Sequence, residues 1–194
     1  MTNVNLMIVG VGGQGSLLAS KLLGHLLVRE GYDVKVSEVH GMSQRGGSVV
    51  TYVRCGTQVC SPLVTEGEAD FLVAFEALEG ARWVPYLKPG GRLIVSTQQI
   101  DPMPVVVGAA AYPDTVLQQL RDRGLSVDAL DALSLAERAG SARAANMVLM
   151  GRLAHHFHLP AERWLDAMAE VVKPKFLQMN RQAFLSGYHY PDQH

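Results

Sequence analysis

Two short stretches of this 194-residue sequence combine glycine with polar side chains in patterns that can bind an anion. The first loop is GVGGQG at residues 10–15, which contains the spacing G-x-G-x-x-G. The second loop is HGMSQRGG at residues 40–47, where a hydroxyl, an amide and a guanidinium precede two glycines. Glycine lets a phosphate approach the backbone, and a guanidinium pairs with a carboxylate or a phosphate. Both loops are therefore candidate binding sites.

The candidate ligand-binding residues are the glycines and polar side chains of these loops. In the first loop they are Gly10, Gly12, Gly13, Gln14 and Gly15. In the second loop they are Ser43, Gln44, Arg45, Gly46 and Gly47, with His40 and Arg45 as the candidate catalytic groups. An imidazole can act as a general base, but the sequence identifies no carboxylate or nucleophile to work with His40. The alternative is structural, with the glycines serving tight packing and Arg45 pairing with Glu38 or Glu76.

The elements around the loops are predicted from hydrophobic spacing. An apolar run at residues 6–9 predicts a buried strand, and leucines at helical spacing over residues 16–30 predict a helix after the first loop. A second strand ends near Glu38, which completes a βαβ unit. Only eight residues then precede the β-branched run at residues 49–53. Because a parallel return needs roughly a dozen connecting residues or more, the third strand is predicted to run antiparallel. Both loops are then expected to meet at the carboxyl ends of the strands, where they would form one anion-accepting rim.

The rest of the chain predicts a single α/β domain over residues 1–194. Further strands are predicted at residues 71–75, 92–96, 105–107 and 127–130, and helices at residues 77–87, 112–123, 143–158, 160–171 and 174–187. The expected sheet is mostly parallel, with an antiparallel excursion after the second strand. The C-terminal third, about residues 141–190, is expected to be helical.

Glu38 is compatible with a second kind of site, one that binds a dinucleotide or S-adenosylmethionine. It lies at the end of the second predicted strand, where a dinucleotide-binding fold places the acid that binds ribose. LKPGGRLIV at residues 87–95 also resembles a stretch common in S-adenosylmethionine-dependent methyltransferases. Against both, no crossover helix follows Glu38, and the second loop would crowd the adenosine. A stand-alone NAD(P)- or S-adenosylmethionine-dependent enzyme is therefore the alternative reading.

Charge and hydropathy limit the classes of partner. The formal net charge is −1, from 17 basic and 18 acidic side chains, so nothing points to nucleic acid or to an anionic membrane. No apolar run reaches the roughly 18 residues that span a bilayer. The first residues are typical of a strand and not of a signal peptide. We therefore expect a cytoplasmic protein.

Metal-ligating residues are scarce. Cys55 and Cys60 are too few for a zinc site or an iron–sulfur cluster, which needs about four thiolates. His155, His156 and His158 lie late in a predicted helix, where positive groups interact favourably with the helix dipole. We therefore expect no metal site in this chain.

Three motifs together resemble one enzyme family. GVGGQG, EVHGMSQRGGSV at residues 38–49 and SARAANMVLMG at residues 141–151 are similar, in order and spacing, to the gamma-type subunit or domain of 2-oxoacid:ferredoxin oxidoreductases. The resemblance covers nearly the whole chain, including the ending KFLQMNRQAFLSGY. It is strongest to the indolepyruvate-type members that consist of this domain alone. The second motif is specific, whereas the first by itself is not.

The resemblance implies a Rossmann-like three-layer sandwich that packs against a larger subunit with thiamine diphosphate and iron–sulfur clusters. Complexes of this family oxidatively decarboxylate a 2-oxoacid, here indolepyruvate or a related arylpyruvate, transfer the acyl group to coenzyme A and pass electrons to ferredoxin. This chain alone would bind no cofactor. Ser43, Gln44 and Arg45 would face the shared active site or the partner subunit, and Asn146 would tie a helix to a neighbouring loop.

Two further expectations follow from that resemblance. The chain is either part of the active site or a scaffold whose glycine loops only dock neighbouring subunits, and the sequence leaves both open. An isolated chain is expected to form a homodimer, because its partner-facing surfaces would otherwise stay uncovered.

Overall fold

The computed structural model describes residues 3–40 and 46–192, and this part of the chain forms one six-stranded sheet with helices on both faces. The strands are β1 (Val4–Val11), β2 (Asp33–His40), β3 (Ser48–Gly56), β4 (Ala69–Ala74), β5 (Leu87–Ser96) and β6 (Ser126–Leu130). The helices are α1 (Ser16–Arg29), α2 (Ala77–Trp83), α3 (Met103–Val106), α4 (Val116–Asp122), α5 (Ala132–Arg138), α6 (Ala145–His156), α7 (Ala161–Val171) and α8 (Pro174–Tyr188).

The strand order is β2-β3-β1-β4-β5-β6. Strands β1, β4, β5 and β6 pair in parallel, whereas β3 pairs antiparallel with both β1 and β2. The predicted α/β class, the mostly parallel sheet and the antiparallel excursion after the second strand are confirmed. The sequence did not predict that β3 would lie between β1 and β2. This insertion leaves β2 at the edge of the sheet, one strand further from β1 than direct pairing would place it.

Separate apolar cores cover the two faces of the sheet. Helices α1 and α5 to α8 cover one face, around the fully buried side chains of Trp164 and Phe184. Helices α2 and α4 cover the other face over β4 to β6, around Leu93 and Val95. Because side chains alternate along a strand, β1 contributes to both cores. The result is a three-layer sandwich, in which no described helix is long and apolar enough to cross a membrane.

Helices α6 and α8 cross in backbone contact because each carries a glycine at the crossing. A Cβ atom added to Gly151 would lie 1.9 Å from the carbonyl oxygen of Phe184. A Cβ added to Gly187 would lie 1.9 Å from the carbonyl oxygen of Val148. Real Cβ atoms do not approach that closely, so the two glycines are a requirement of this packing.

A buried ion pair connects the residues that follow α8 to β6. Arg152 on α6 is 1% exposed and donates from Nε to Asp128 Oδ2 at 2.5 Å. The other two guanidinium nitrogens donate to the Tyr190 carbonyl oxygen and to Asp192 Oδ1, each at 2.6 Å. Burial alone would raise the pKa of Asp128, but hydrogen bonds from His156 and Arg152, together with their charges, hold that pKa below its usual range.

Residues 105–107 are not a strand, so this part of the sequence-based prediction is wrong. They lie in and after α3, within an exposed excursion between β5 and α4. Proline suits the first turn of a helix, and Pro104 lacks the N–H group that a strand ladder requires. Helix α5, which the sequence did not predict, begins where the Ser134 N–H donates to Asp131 Oδ1 at 3.0 Å.

Candidate functional site

The two glycine loops meet at the carboxyl edge of the sheet. The first loop follows β1, and the second joins β2 to β3. The Gly12 N–H donates to the Gly47 carbonyl oxygen at 2.8 Å, and the antiparallel ladder pairs Val11 with Ser48. The predicted convergence is therefore confirmed for the described ends of the loops. Residues 41–45 lie outside the described residues, and they include the candidates Ser43, Gln44 and Arg45.

The first loop is a tight turn that ends in a left-handed residue. Gly15 has a φ of +88°, a region that favours glycine, and immediately precedes α1. A Cβ added there would lie 2.6 Å from Asn146 Nδ2. At Gly13, where φ is +103°, an added Cβ would meet open space. No described side chain caps the first N–H groups of α1, which suits an anion at this helix end.

Gln14 connects the ends of three strands through its side-chain amide. The Val11 N–H, at the end of β1, donates to Gln14 Oε1 at 2.7 Å. Gln14 Nε2 donates to the Phe75 carbonyl oxygen after β4 at 3.0 Å and to Gln98 Oε1 after β5 at 3.1 Å. Both amide hydrogens are thus used within the protein. Its role in ligand binding stays a prediction, and the hydrogen bonds give Gln14 a role in shaping the turn.

Asn146 fixes the same turn from the C-terminal helices. It lies at the start of α6 and is almost fully buried. Its Nδ2 donates to the carbonyl oxygen of Gly15 at 3.1 Å. The prediction that Asn146 ties a helix to a neighbouring loop is confirmed. The first and third motifs of the sequence are therefore in direct contact, although they are more than a hundred residues apart.

Replacing Gln14 by leucine is expected to lower the free energy of unfolding by about 1–3 kcal/mol. The substitution removes the acceptor of the Val11 N–H and the donor to the Phe75 carbonyl group, both near the edge of the core. Urea unfolding followed by circular dichroism measures the change. Gln99→Leu is the matched control, since Gln99 is exposed, and it should stay close to the wild type. Equal stability of the two variants would show that Gln14 does not hold the turn.

The larger cleft beside the first loop has a volume of about 480 Å³. It opens where β1 and β4 are neighbours but their connections run to opposite sides of the sheet, and such switch points are common ligand sites in α/β proteins. Its lining comes from the first loop, the ends of β4 and β5, and the start of α6, and it includes Gln14, Phe75, Gln98, Arg143 and Asn146. Arg143 adds a positive side chain that sequence reasoning missed, although it lies within the third motif.

The smaller cleft, of about 370 Å³, lies on the other side of the first loop and contains Glu38 and His40. Glu38 is exposed and accepts a hydrogen bond from Thr51 Oγ1 at 3.3 Å. Because β3 is inserted, Glu38 is displaced from β1 by one extra strand spacing, about 4.8 Å. That displacement disfavours the dinucleotide alternative, which requires the acid on a strand next to β1. In the second loop, Gly46 has a φ of +77° and the side chain of His40 is exposed.

Two buried acids, Glu76 and Glu79, lie at the start of α2, and sequence reasoning missed Glu79. Glu79 on α2 accepts hydrogen bonds from the Ser48 hydroxyl at the start of β3 and from Arg82 Nε, the latter at 3.1 Å. Glu76 caps α2 by accepting from the Glu79 N–H at 2.7 Å, and it also accepts from the Tyr112 hydroxyl. Burial and this hydrogen bond raise the pKa of Tyr112, so the phenol keeps its proton. The sequence EALE directly after a strand was the available signal of this cap.

Within the described residues, no group of three or more metal-ligating side chains converges. Cys55 is buried and Cys60 is exposed, and burial raises the pKa of the Cys55 thiol to about 11. A protonated thiol is a poor metal ligand, and these two residues do not fit an iron–sulfur cluster. The three late histidines have separate partners, since His155 lies near Asp192, His156 near Asp128 and His158 near Tyr32.

Comparisons with known proteins agree with one another. The family model described as "Pyruvate ferredoxin/flavodoxin oxidoreductase" matches residues 5–190. Relatives named "Indolepyruvate oxidoreductase subunit IorB" are 42% identical in Thermococcus kodakarensis and 41% in Pyrococcus horikoshii, each over 96% of this chain and 95% of the relative. The crystal structure of the keto/oxoacid ferredoxin oxidoreductase gamma subunit from Geobacter sulfurreducens PCA superimposes with a TM-score of 0.70 at 22% identity. That match covers 95% of this chain and 96% of the other, and it shows a shared fold.

Proposed function

Because this chain belongs to the pyruvate ferredoxin/flavodoxin oxidoreductase family, we propose that it is the small, cluster-free subunit of a thiamine diphosphate-dependent 2-oxoacid:ferredoxin oxidoreductase. Its 2-oxoacid is indolepyruvate or a related arylpyruvate, in keeping with the names of the relatives that match over nearly their whole length. The complex converts the 2-oxoacid and coenzyme A to an acyl-coenzyme A, carbon dioxide and a proton, and two electrons pass to ferredoxin. The proposed complex is cytoplasmic.

The observation that supports an active-site role is the contact between the two glycine loops. The Gly12–Gly47 hydrogen bond of 2.8 Å brings a helix amino terminus and the described ends of the second loop to one sheet edge. The larger cleft opens at that edge, with Arg143 in its lining. An edge with uncapped N–H groups and a guanidinium suits a carboxylate or a phosphate. A surface of this kind fits the anionic substrates and cofactors of the proposed reaction.

In this reaction, the chain binds and orients an anionic group of the substrate or of coenzyme A. Thiamine diphosphate, held by the larger subunit, would supply the electron sink that decarboxylation requires. In this chain, the start of α1 and the guanidinium groups of Arg45 and Arg143 would hold an anionic group of the substrate or of coenzyme A. Gln14 and Asn146 would keep the first loop in the geometry that this contact requires, through the hydrogen bonds they make to its backbone.

Purification from native cell extract tests the assignment to a complex. The chain is expected to emerge with a larger subunit that contains thiamine diphosphate and iron–sulfur clusters, which mass spectrometry and the visible absorption of the clusters identify. The purified complex should reduce ferredoxin with indolepyruvate and coenzyme A, and the isolated chain should not. Turnover of a 2-oxoacid by the isolated chain would contradict the proposal.

Arg45→Ala distinguishes an active-site role from a scaffold role. If Arg45 holds an anionic group, the complex assembles normally and kcat/KM falls about 10- to 100-fold, the loss expected for a charge-assisted hydrogen bond. A scaffold role predicts lost assembly instead. Size-exclusion chromatography and steady-state kinetics separate the two outcomes. Arg163→Ala is the control, since Arg163 lies exposed on α7 with a long, 3.6 Å contact to Glu30, and it should change neither.

The dinucleotide alternative has one supporting observation, which is that Glu38 and the first loop line the same small cleft. Calorimetric titration of the isolated chain with NAD, NADP and S-adenosylmethionine tests it directly. Micromolar binding that Glu38→Ala abolishes would favour a stand-alone enzyme. We expect no such binding, because β3 separates the strand that carries Glu38 from β1.

A further inference from the structure

One segment of the chain is apolar and lacks charge, yet it is not part of either core. Residues 102–113 have the sequence PMPVVVGAAAYP, and we refer to them as the apolar segment. It contains no acidic or basic side chain. Met103, Val106 and Val107 are 67%, 63% and 66% exposed, and the three alanines at residues 109–111 are exposed as well. Side chains of this type normally occur in a core or in an interface.

The apolar segment has a defined shape. Within it, the Val106 N–H donates to the Pro102 carbonyl oxygen at 3.1 Å, and the Val107 N–H donates to the Met103 carbonyl oxygen at 3.0 Å. Its far end is held by the Tyr112 hydroxyl, which donates to the buried carboxylate of Glu76. A surface that is already ordered loses less conformational entropy when a partner binds.

The apolar segment lies beside the proposed site. It follows β5 at the carboxyl edge of the sheet, where both glycine loops lie. Gln98, just before the segment, accepts a hydrogen bond from Gln14 of the first loop at 3.1 Å. The Gln98 carbonyl oxygen accepts a hydrogen bond from the Ala77 N–H at 3.0 Å, which holds the chain between β5 and the apolar segment against the start of α2. The apolar segment and the glycine loops therefore share the carboxyl edge of the sheet, and a subunit that covers this edge would contact both.

We propose that the apolar segment docks into an apolar surface of the larger, thiamine-bearing subunit, next to the shared active site. This inference rests on the proposed function. The exposed side chains of Met103, Val106 and Val107 amount to an area on the order of 300 Å², the size of patch that is often functional in monomers. A stable specific interface needs about 800 Å² from each partner. The apolar segment alone is therefore smaller than a stable interface, so its partner must also cover the neighbouring surface at the carboxyl edge of the sheet, where the proposed active site lies.

The test measures binding between this chain and the larger subunit that purifies with it. Val106→Lys and Val107→Lys, made singly, are each expected to weaken the complex at least tenfold, because a lysine would enter an apolar contact. Val28→Lys is the matched control, since Val28 is 60% exposed on the last turn of α1, away from the carboxyl edge. It should bind like the wild type. Interferometry gives the dissociation constants, and thermal melting of each isolated variant should match the wild type, because all three positions are exposed.

The possible outcomes separate this inference from the proposed function. If the wild-type chain binds the thiamine-bearing subunit and the Val106 and Val107 variants bind it equally tightly, the docking role of the apolar segment is wrong and the proposed function stands. If the wild-type chain binds no such subunit, the proposed function fails, and the partner named here fails with it. If the variants convert a wild-type dimer to a monomer without affecting the larger subunit, the segment docks a second copy and the inference is overturned.

Discussion

Replacing Gly151 by alanine is expected to lower the free energy of unfolding by about 3 kcal/mol or more, beyond the usual range for an overpacked site. The added methyl group would lie 1.9 Å from the Phe184 carbonyl oxygen and 2.9 Å from the Tyr188 backbone nitrogen. Both neighbours are backbone atoms of α8, so no side-chain rotation can relieve the clash. The two helices would have to separate, and Trp164 and Phe184 lie in the core that they close.

The matched control for this prediction is Gly24→Ala in the middle of α1. A Cβ there would meet Val36 Cγ2 at 3.5 Å, an ordinary van der Waals distance. Since glycine costs about 1 kcal/mol relative to alanine within a helix, this variant should be slightly more stable than the wild type. Urea unfolding measures both variants. A Gly151→Ala protein as stable as the wild type would mean that α6 and α8 do not pack in backbone contact.

The Asp128→Asn substitution is expected to cost about 3 kcal/mol of stability at pH 7, because it leaves the buried guanidinium of Arg152 without its buried counter-charge. Asp192→Asn is the control within the same cluster. Both carboxylates contact Arg152, at 2.5 and 2.6 Å, but Asp128 is buried and the Asp192 side chain is 57% exposed. An exposed ion pair contributes less than about 1 kcal/mol, so the Asp192 variant should be nearly as stable as the wild type.

The contribution of Asp128 should also depend on pH. Its folded-state pKa lies below the ordinary value, so the unfolded chain binds a proton at this carboxyl more readily than the folded protein does. The stabilisation is therefore complete above pH of about 4, the unfolded pKa, and is lost as the pH falls through the lower folded value. The stability gap between the wild type and Asp128→Asn should narrow below about pH 4. A gap that stays constant from pH 7 to pH 3 would contradict the ion-pair account.

Local sequence patterns predicted most elements, because they depend on residues close in the chain. The leucines of residues 16–30 predicted α1, which spans Ser16–Arg29. The short connection before residue 49 predicted an antiparallel β3, since so few residues cannot hold a crossover helix. The same reasoning failed at residues 105–107, where valines suggested a strand but Pro104 favours a helix start. These valines have a high β propensity, but no described strand pairs with them.

The sequence by itself determined the fold class, the two glycine loops and the membership of a family, since composition, periodicity and motif order are properties of the chain. Only the tertiary structure decided that β3 lies between β1 and β2, that Gln14 joins three strand ends and that the apolar segment follows β5 at the same edge of the sheet as the glycine loops. The physical reason is that periodicity shows which side of an element is apolar but not which element lies beside it. Neighbours are selected by strand pairing and by packing over the whole domain, and in this protein that selection brings loops distant in sequence to one edge of the sheet.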